Sequence, residues 1–96
     1  MSQVVWTEAA LLDVQRHYET LTLIETEVAI RAAQAIRKAG DSLETSPRRG
    51  AIVQEATGLQ KLQVAFGKAG FTMHYTVIED EVVILRAYHG RESRPS

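Results

Sequence analysis

The sequence contains no cysteine, only two prolines and one tryptophan, and no apolar run longer than four residues. Without cysteine there are no disulfides, no thiolate zinc sites and no cysteine nucleophile. Runs of four residues fall far short of the roughly 18 that a membrane span needs. Three scattered histidines (His17, His74, His89) do not suggest a structural metal site. No metal or other cofactor is expected. An excess of one charge is also missing: eleven Lys and Arg face twelve Asp and Glu, for a net charge of −1. Binding driven by general phosphate neutralisation needs a more basic chain, so sequence-specific DNA binding by this chain alone is not expected. The opening MSQVVWTEAA has neither the basic start nor the apolar stretch of a signal peptide, and the chain reads as cytoplasmic with no membrane partner.

What is present is enough for one small core. Ninety-six residues, 45% apolar and 24% charged, bury roughly 60–65% of their unfolded surface in a single domain spanning 1–96. The charge is unevenly spread. Residues 1–45 carry seven acids against four bases, and residues 46–96 carry seven bases against five acids.

Gln3–Trp6 is short, apolar and β-prone, and Thr7 then stands where a helix N-cap belongs, with Glu8 in the first turn. Leu11, Val14, Tyr18 and Leu21 recur at spacings of three and four, predicting a helix of about four turns. The chain turns near Leu21–Leu23. From about Ile24 a second helical period places Val28, Ala32, Ile36, Ala39 and Leu43 on one face. So short a connection predicts an antiparallel helical hairpin. The segment TSPRRG (45–50) ends it. Strands are predicted where Leu62, Val64 and Phe66 alternate with Lys61, Gln63 and Ala65, and where Phe71, Met73, Tyr75 and Val77 alternate with Thr72, His74 and Thr76. GKAG (67–70) and Glu79–Glu81 are the hairpin turns, Val82–His89 is the last strand, and Glu92–Ser96 reads as frayed. The order β-α-α-β-β-β gives an α+β fold, a two-helix hairpin on a small curved antiparallel sheet. Its outer face would expose Lys61, Gln63, Ala65, Thr72, His74 and Thr76.

The densest group of functional side chains is Arg86, Tyr88, His89 and Arg91, in RAYHGR at the end of the last strand. Histidine moves protons near neutral pH, and arginines hold phosphates or acidic partners. A solvated sheet face closed by a histidine explains the same residues, and both readings stand at this point. Gly90 lets the chain bend or lets another backbone come close. Arg48 and Arg49 beside Pro47 form either an anion-binding corner or a solvated turn. GKAG joins two strands and opens no helix, so it is no phosphate loop. Tyr75 reads as a core aromatic, on the opposite face from His74.

Taken in order, these pieces resemble the ParE branch of the RelE/ParE toxin superfamily, the toxin halves of bacterial type II toxin–antitoxin modules. The likeness runs through the first strand and TEAALLDVQRHYETL, the alanine-rich second helix, SPRRG, and KLQVAFGKAGFTMHYTVIEDEVVILRAYHGRE. It implies a helical hairpin on a curved antiparallel sheet, and a ParD-like antitoxin as partner in a tight hetero-oligomer. It also implies one of two activities. ParE-like members poison DNA gyrase, whereas RelE-like members cut messenger RNA on the ribosome. Cutting members place lysines and arginines on the two middle strands, where this chain has Gln63, Ala65 and Thr72. The resemblance therefore points to a gyrase poison without catalytic residues, with Arg86, Tyr88, His89 and Arg91 as its target-binding set. The alternative is a ribosome-dependent endonuclease using His89 and Arg91. Where relatives usually carry an Arg-Glu pair, this chain has Gln60-Lys61, a departure that also admits a toxin fold with a weakened or changed target.

Overall fold

A computed structural model describes residues 2–92. The chain runs β1 (Gln3–Trp6), α1 (Glu8–Thr22), α2 (Thr26–Asp41), one turn of 3-10 helix (Ser42–Glu44), β2 (Ala51–Gln54), β3 (Leu59–Val64), β4 (Phe71–Ile78) and β5 (Glu81–His89). The strands form one sheet in the order β1-β5-β4-β3-β2. Neighbours from β2 to β5 are antiparallel, while β1 lies parallel to β5, with Gln3 opposite Glu81 and Trp6 opposite Ile84. The α+β class and the helical hairpin are as expected. The sheet differs in two respects: it is mixed, and it holds a fifth strand, β2. The side chains of β2 are almost all exposed, so it carries no alternating pattern for a sequence reading to detect.

Thr7 joins the first helix to the sheet. Its hydroxyl oxygen accepts the Ala10 N–H (3.2 Å), and its own N–H and O–H both donate to the Ile84 carbonyl (3.1 and 2.8 Å). This N-cap fixes where α1 leaves β1 and lays the helix along β5. The buried face of α1 is turned from the expected one. Ala10, Asp13 and His17 are buried, with Val14 and Leu21 partly so, while Leu11 is largely exposed. Two ionisable residues thus occupy positions that an apolar stripe would claim.

On α2 the buried residues are Ala29, Ala32, Ile36 and Gly40. All but Ile36 are small, which allows close approach, most sharply at Gly40, where an added Cβ would lie 2.3 Å from the Trp6 ring. Trp6 is held from both sides, by its indole N–H donating to Asp41 (3.3 Å) and by the Arg37 guanidinium 5.0 Å from the ring centre. The core joins Ala32, Ile36 and Leu43 to Leu62, Val64, Phe71, Met73, Tyr75, Val82, Ile84 and Ala87. Tyr75 is wholly buried, as expected of a core aromatic. Its hydroxyl donates to Gln60 (3.1 Å) and accepts the Gly50 N–H (2.9 Å), and burial raises its pKa. The departure at Gln60-Lys61 therefore puts a buried, bonded amide on the core side of β3. Among the described residues no helix is long and apolar enough to cross a membrane.

Candidate target-binding site

A bulge in β5 decides where the RAYHGR side chains point. Opposite the consecutive residues His74 and Tyr75 stand Arg86 and Ile84, so Leu85 is the extra residue. Before the bulge, Val82 and Ile84 face the core. After it the parity reverses, and Ala87 and His89 take the core side while Arg86 and Tyr88 face outward. The four predicted site residues are thereby split into two pairs.

The outward pair packs onto the sheet. Tyr88 stands edge-on to His74, with ring centres 5.2 Å apart, and the Arg86 guanidinium lies 5.1 Å from the Tyr88 ring centre. Thr72 donates to Gln63 (2.9 Å). As a result Thr72 and His74 are buried, not exposed as the strand pattern predicts. Neighbouring side chains on β3 and β5 close over the middle of the outer face.

On the edge away from β4, the second half of β5 has no strand beside it, because β1 pairs only as far as Ile84. Side chains of α1 take that strand's place. Asp13 accepts the Ala87 N–H (2.9 Å), and His17 Nε2 lies 2.8 Å from the Ala87 carbonyl, which can only accept, so Nε2 carries the proton. Arg86 reaches round the edge to grip the same carboxylate with Nε (2.6 Å) and Nη2 (3.0 Å), and Arg16 adds a bond at 3.2 Å. Burial pushes the Asp13 pKa up, but the bonds from Arg86, the Ala87 N–H and Arg16 outweigh it and hold it below the usual value. Arg86 is raised in turn by its bond to Asp13. For His17, burial is the largest cause and the pKa is lowered, with Arg16 adding to it against the Ala87 carbonyl and the nearby Glu92 and Asp13.

His89 and Arg91 sit in the turn that follows. The His89 N–H donates to the Glu92 carboxylate (2.9 Å), the Glu92 N–H donates back to the His89 carbonyl (2.9 Å), and Arg16 pairs with Glu92 at 2.9 Å. Glu92 is therefore tied down, contrary to the frayed end expected from this residue onward; the remaining four residues lie outside the described range. His89 Nδ1 accepts the Arg91 N–H (3.2 Å), which makes the neutral ring an Nε2–H donor. Gly90 answers the close-approach reading: a Cβ there would lie 2.0 Å from the Ala69 carbonyl oxygen, and its N–H donates to Gly70 (2.9 Å).

Two hollows of about 320 and 400 Å³ meet at this end of the sheet, and both are lined by Leu21, Phe71, His89 and Arg91. Phe71 forms the floor, with the rings of His17, Phe66 and His89 at 5.1, 5.8 and 5.7 Å. Beyond the presence of Asp13 and His17 at the helix's buried spacing, nothing in the sequence pattern marks Asp13, Arg16, His17 and Glu92 as part of this site.

A helical hairpin packed on a small mixed sheet is a fold that solved structures also display. The chain aligns with the toxin–antitoxin complex RelBE2 from Mycobacterium tuberculosis (TM-score 0.64, 22% identity, 92% of this chain and 96% of that one). It aligns more closely with a chain of the chromosomal ParDE toxin–antitoxin system from P. aeruginosa, at a TM-score of 0.77 and 27% identity over 93% of this chain and 96% of that one. The fold is that of a type II toxin. By sequence, the family described as ParE toxin of type II toxin-antitoxin system, parDE, matches residues 4–94, and the chain belongs to that ParE toxin family. It is also 29% identical over 70 residues to Toxin RelE1 of Caulobacter vibrioides, covering 73% of each.

Proposed function

We propose that this toxin arrests growth by binding DNA gyrase, without chemistry of its own, and that a ParD-like antitoxin neutralises it. The observation that carries the reading is the state of the cations around the last strand. Cleaving a phosphodiester needs positive groups aimed at the developing charge, usually the largest contribution to such catalysis. Here Gln63, Ala65 and Thr72 hold the middle-strand positions, and the guanidinium of Arg86 is engaged by Asp13. His89 and Arg91 serve instead as the contact surface, because Arg86 is held by Asp13 and Tyr88 is buried against His74. The antitoxin reading rests on family membership and on the ParDE and RelBE assemblies whose toxin fold this chain shares.

The test is supercoiling by purified gyrase with the purified chain added. Linear plasmid accumulating in proportion to the chain, and less of it with His89→Ala or Arg91→Ala, is the expected result. Undisturbed supercoiling at large excess would refute the assignment. One observation favours a second reading: His89 and Arg91 share a hollow with Lys68, which an RNA endonuclease could use. That reading predicts cut transcripts in a translating extract and their loss in His89→Ala.

A further inference from the structure

The hollow between the end of α1, the 66–70 loop and the 89–92 turn has a composition that points to one kind of ligand. Its floor is apolar, formed by Leu21 and Phe71. Beside it the tip of the helical hairpin holds out two large apolar side chains, Leu23 at 88% exposed and Ile24 at 78%, and Ile24 lines the larger hollow. Among the described residues nothing covers them. Of the charges on the rim, Arg16 and Glu92 are paired with each other. Lys68 and Arg91 both line the smaller hollow, and among the described residues neither is ion-paired.

An apolar floor and lip beside two unpaired cations suit a ligand that is both apolar and anionic. A nucleic acid would satisfy the cations, but it would leave Leu23 and Ile24 in water and bring phosphates toward Glu19, Glu25 and Glu27 at the hairpin tip. A protein segment satisfies both. We infer that this groove docks an extended segment of a partner protein in which a large apolar residue is flanked by carboxylates. The apolar side chain lies on Phe71 and Leu21 against Ile24, and the carboxylates meet Lys68 and Arg91. A combined hollow of this size is in the range of sites that accept such anchors. The inference rests on the reading above that this end of β5 is the contact surface, and it supplies the recognition chemistry.

The probe is a phage-displayed library of random dodecapeptides, selected on the purified full chain, with a twelve-residue oligothymidylate as the nucleic-acid arm. Enriched peptides should carry a Leu, Ile or Phe among Asp and Glu, and should shift the backbone NMR signals of residues 68–71 and 89–91. Lys68→Glu, Arg91→Glu and Ile24→Ser, all at exposed positions and each checked by circular dichroism, should weaken the selected peptides about tenfold. No enrichment, enrichment without that signature, affinities unmoved by the three substitutions, or tighter binding of the oligonucleotide in the groove would each overturn the inference. The gyrase assay run in parallel separates the two readings. Peptide binding without gyrase poisoning removes only the target, and poisoning without peptide binding removes only the groove ligand.

Discussion

The carboxylate of Asp13 offers the sharpest quantitative test, because it serves two purposes with different energies. It accepts the buried Ala87 N–H at 2.9 Å, and it pairs with Arg86 and Arg16. Losing the acceptor leaves a buried donor unsatisfied, which costs about 1–3 kcal/mol. The ion pairs are worth less, since the Arg86 and Arg16 side chains are 43% and 47% exposed and can turn to water; about 0.5–1 kcal/mol is reasonable. Asp13→Ala should therefore destabilise the domain by about 3 kcal/mol, mostly through Ala87, which corresponds to roughly 12–24 °C in a domain of this size. Asp13→Asn keeps an oxygen for Ala87 and loses the charge, so it should cost only about 1 kcal/mol. Urea denaturation followed by circular dichroism at pH 7 measures both, and hydrogen exchange at the Ala87 amide reports the bond itself. If the asparagine variant is as unstable as the alanine variant, charge and not strand-edge bonding dominates, and the reasoning is refuted. If Asp13→Ala loses less than about 1 kcal/mol with the amide still protected, the carboxylate does not stand in for a strand at all.

Because burial lowers the His17 pKa below its unfolded value, the folded state resists protonation there; its contribution is fully present above about pH 6.5 and is lost as pH falls toward the folded pKa, so His17→Phe should flatten the stability profile between pH 7 and 5. Asp13 acts with the same sign at lower pH, since its depressed pKa adds stability that is lost as pH falls from about 4. Gly40→Ala gains about 1 kcal/mol of helix propensity but drives a methyl group against Trp6 and Ile84, and a net loss of about 1–2 kcal/mol with altered emission from the sole tryptophan is expected; an unchanged or raised stability would mean that the ring yields freely.

The helical hairpin and four of the five strands were legible because their signals are local: a threonine cap, small residues at helical spacing, short apolar runs in β1 and β5, and alternation in β3 and β4. What escaped is non-local. β2 buries too little to alternate, and the parallel partnership of β1 with β5 joins residues far apart in the chain. At the site, RAYHGR was legible as a cluster by composition, but the bulge at Leu85 sends its members to two faces, and one extra residue is invisible to a period-two reading. Asp13 and His17 were missed because their partners are the amide and carbonyl of Ala87. An alanine's side chain gives no hint that its backbone is being bonded.

The substitution of helix side chains for a strand along Leu85–His89 also changes how errors spread. Backbone pairing between strands is nearly blind to side-chain identity, so an ordinary inner strand keeps its neighbour through most substitutions. Here the seal depends on a carboxylate and an imidazole one turn apart on α1. A single replacement at either position uncovers part of a strand edge, and uncovered edges recruit other chains. Asp13 and His17 thus act as gatekeepers against self-association, and substitutions there should reduce solubility before they abolish folding.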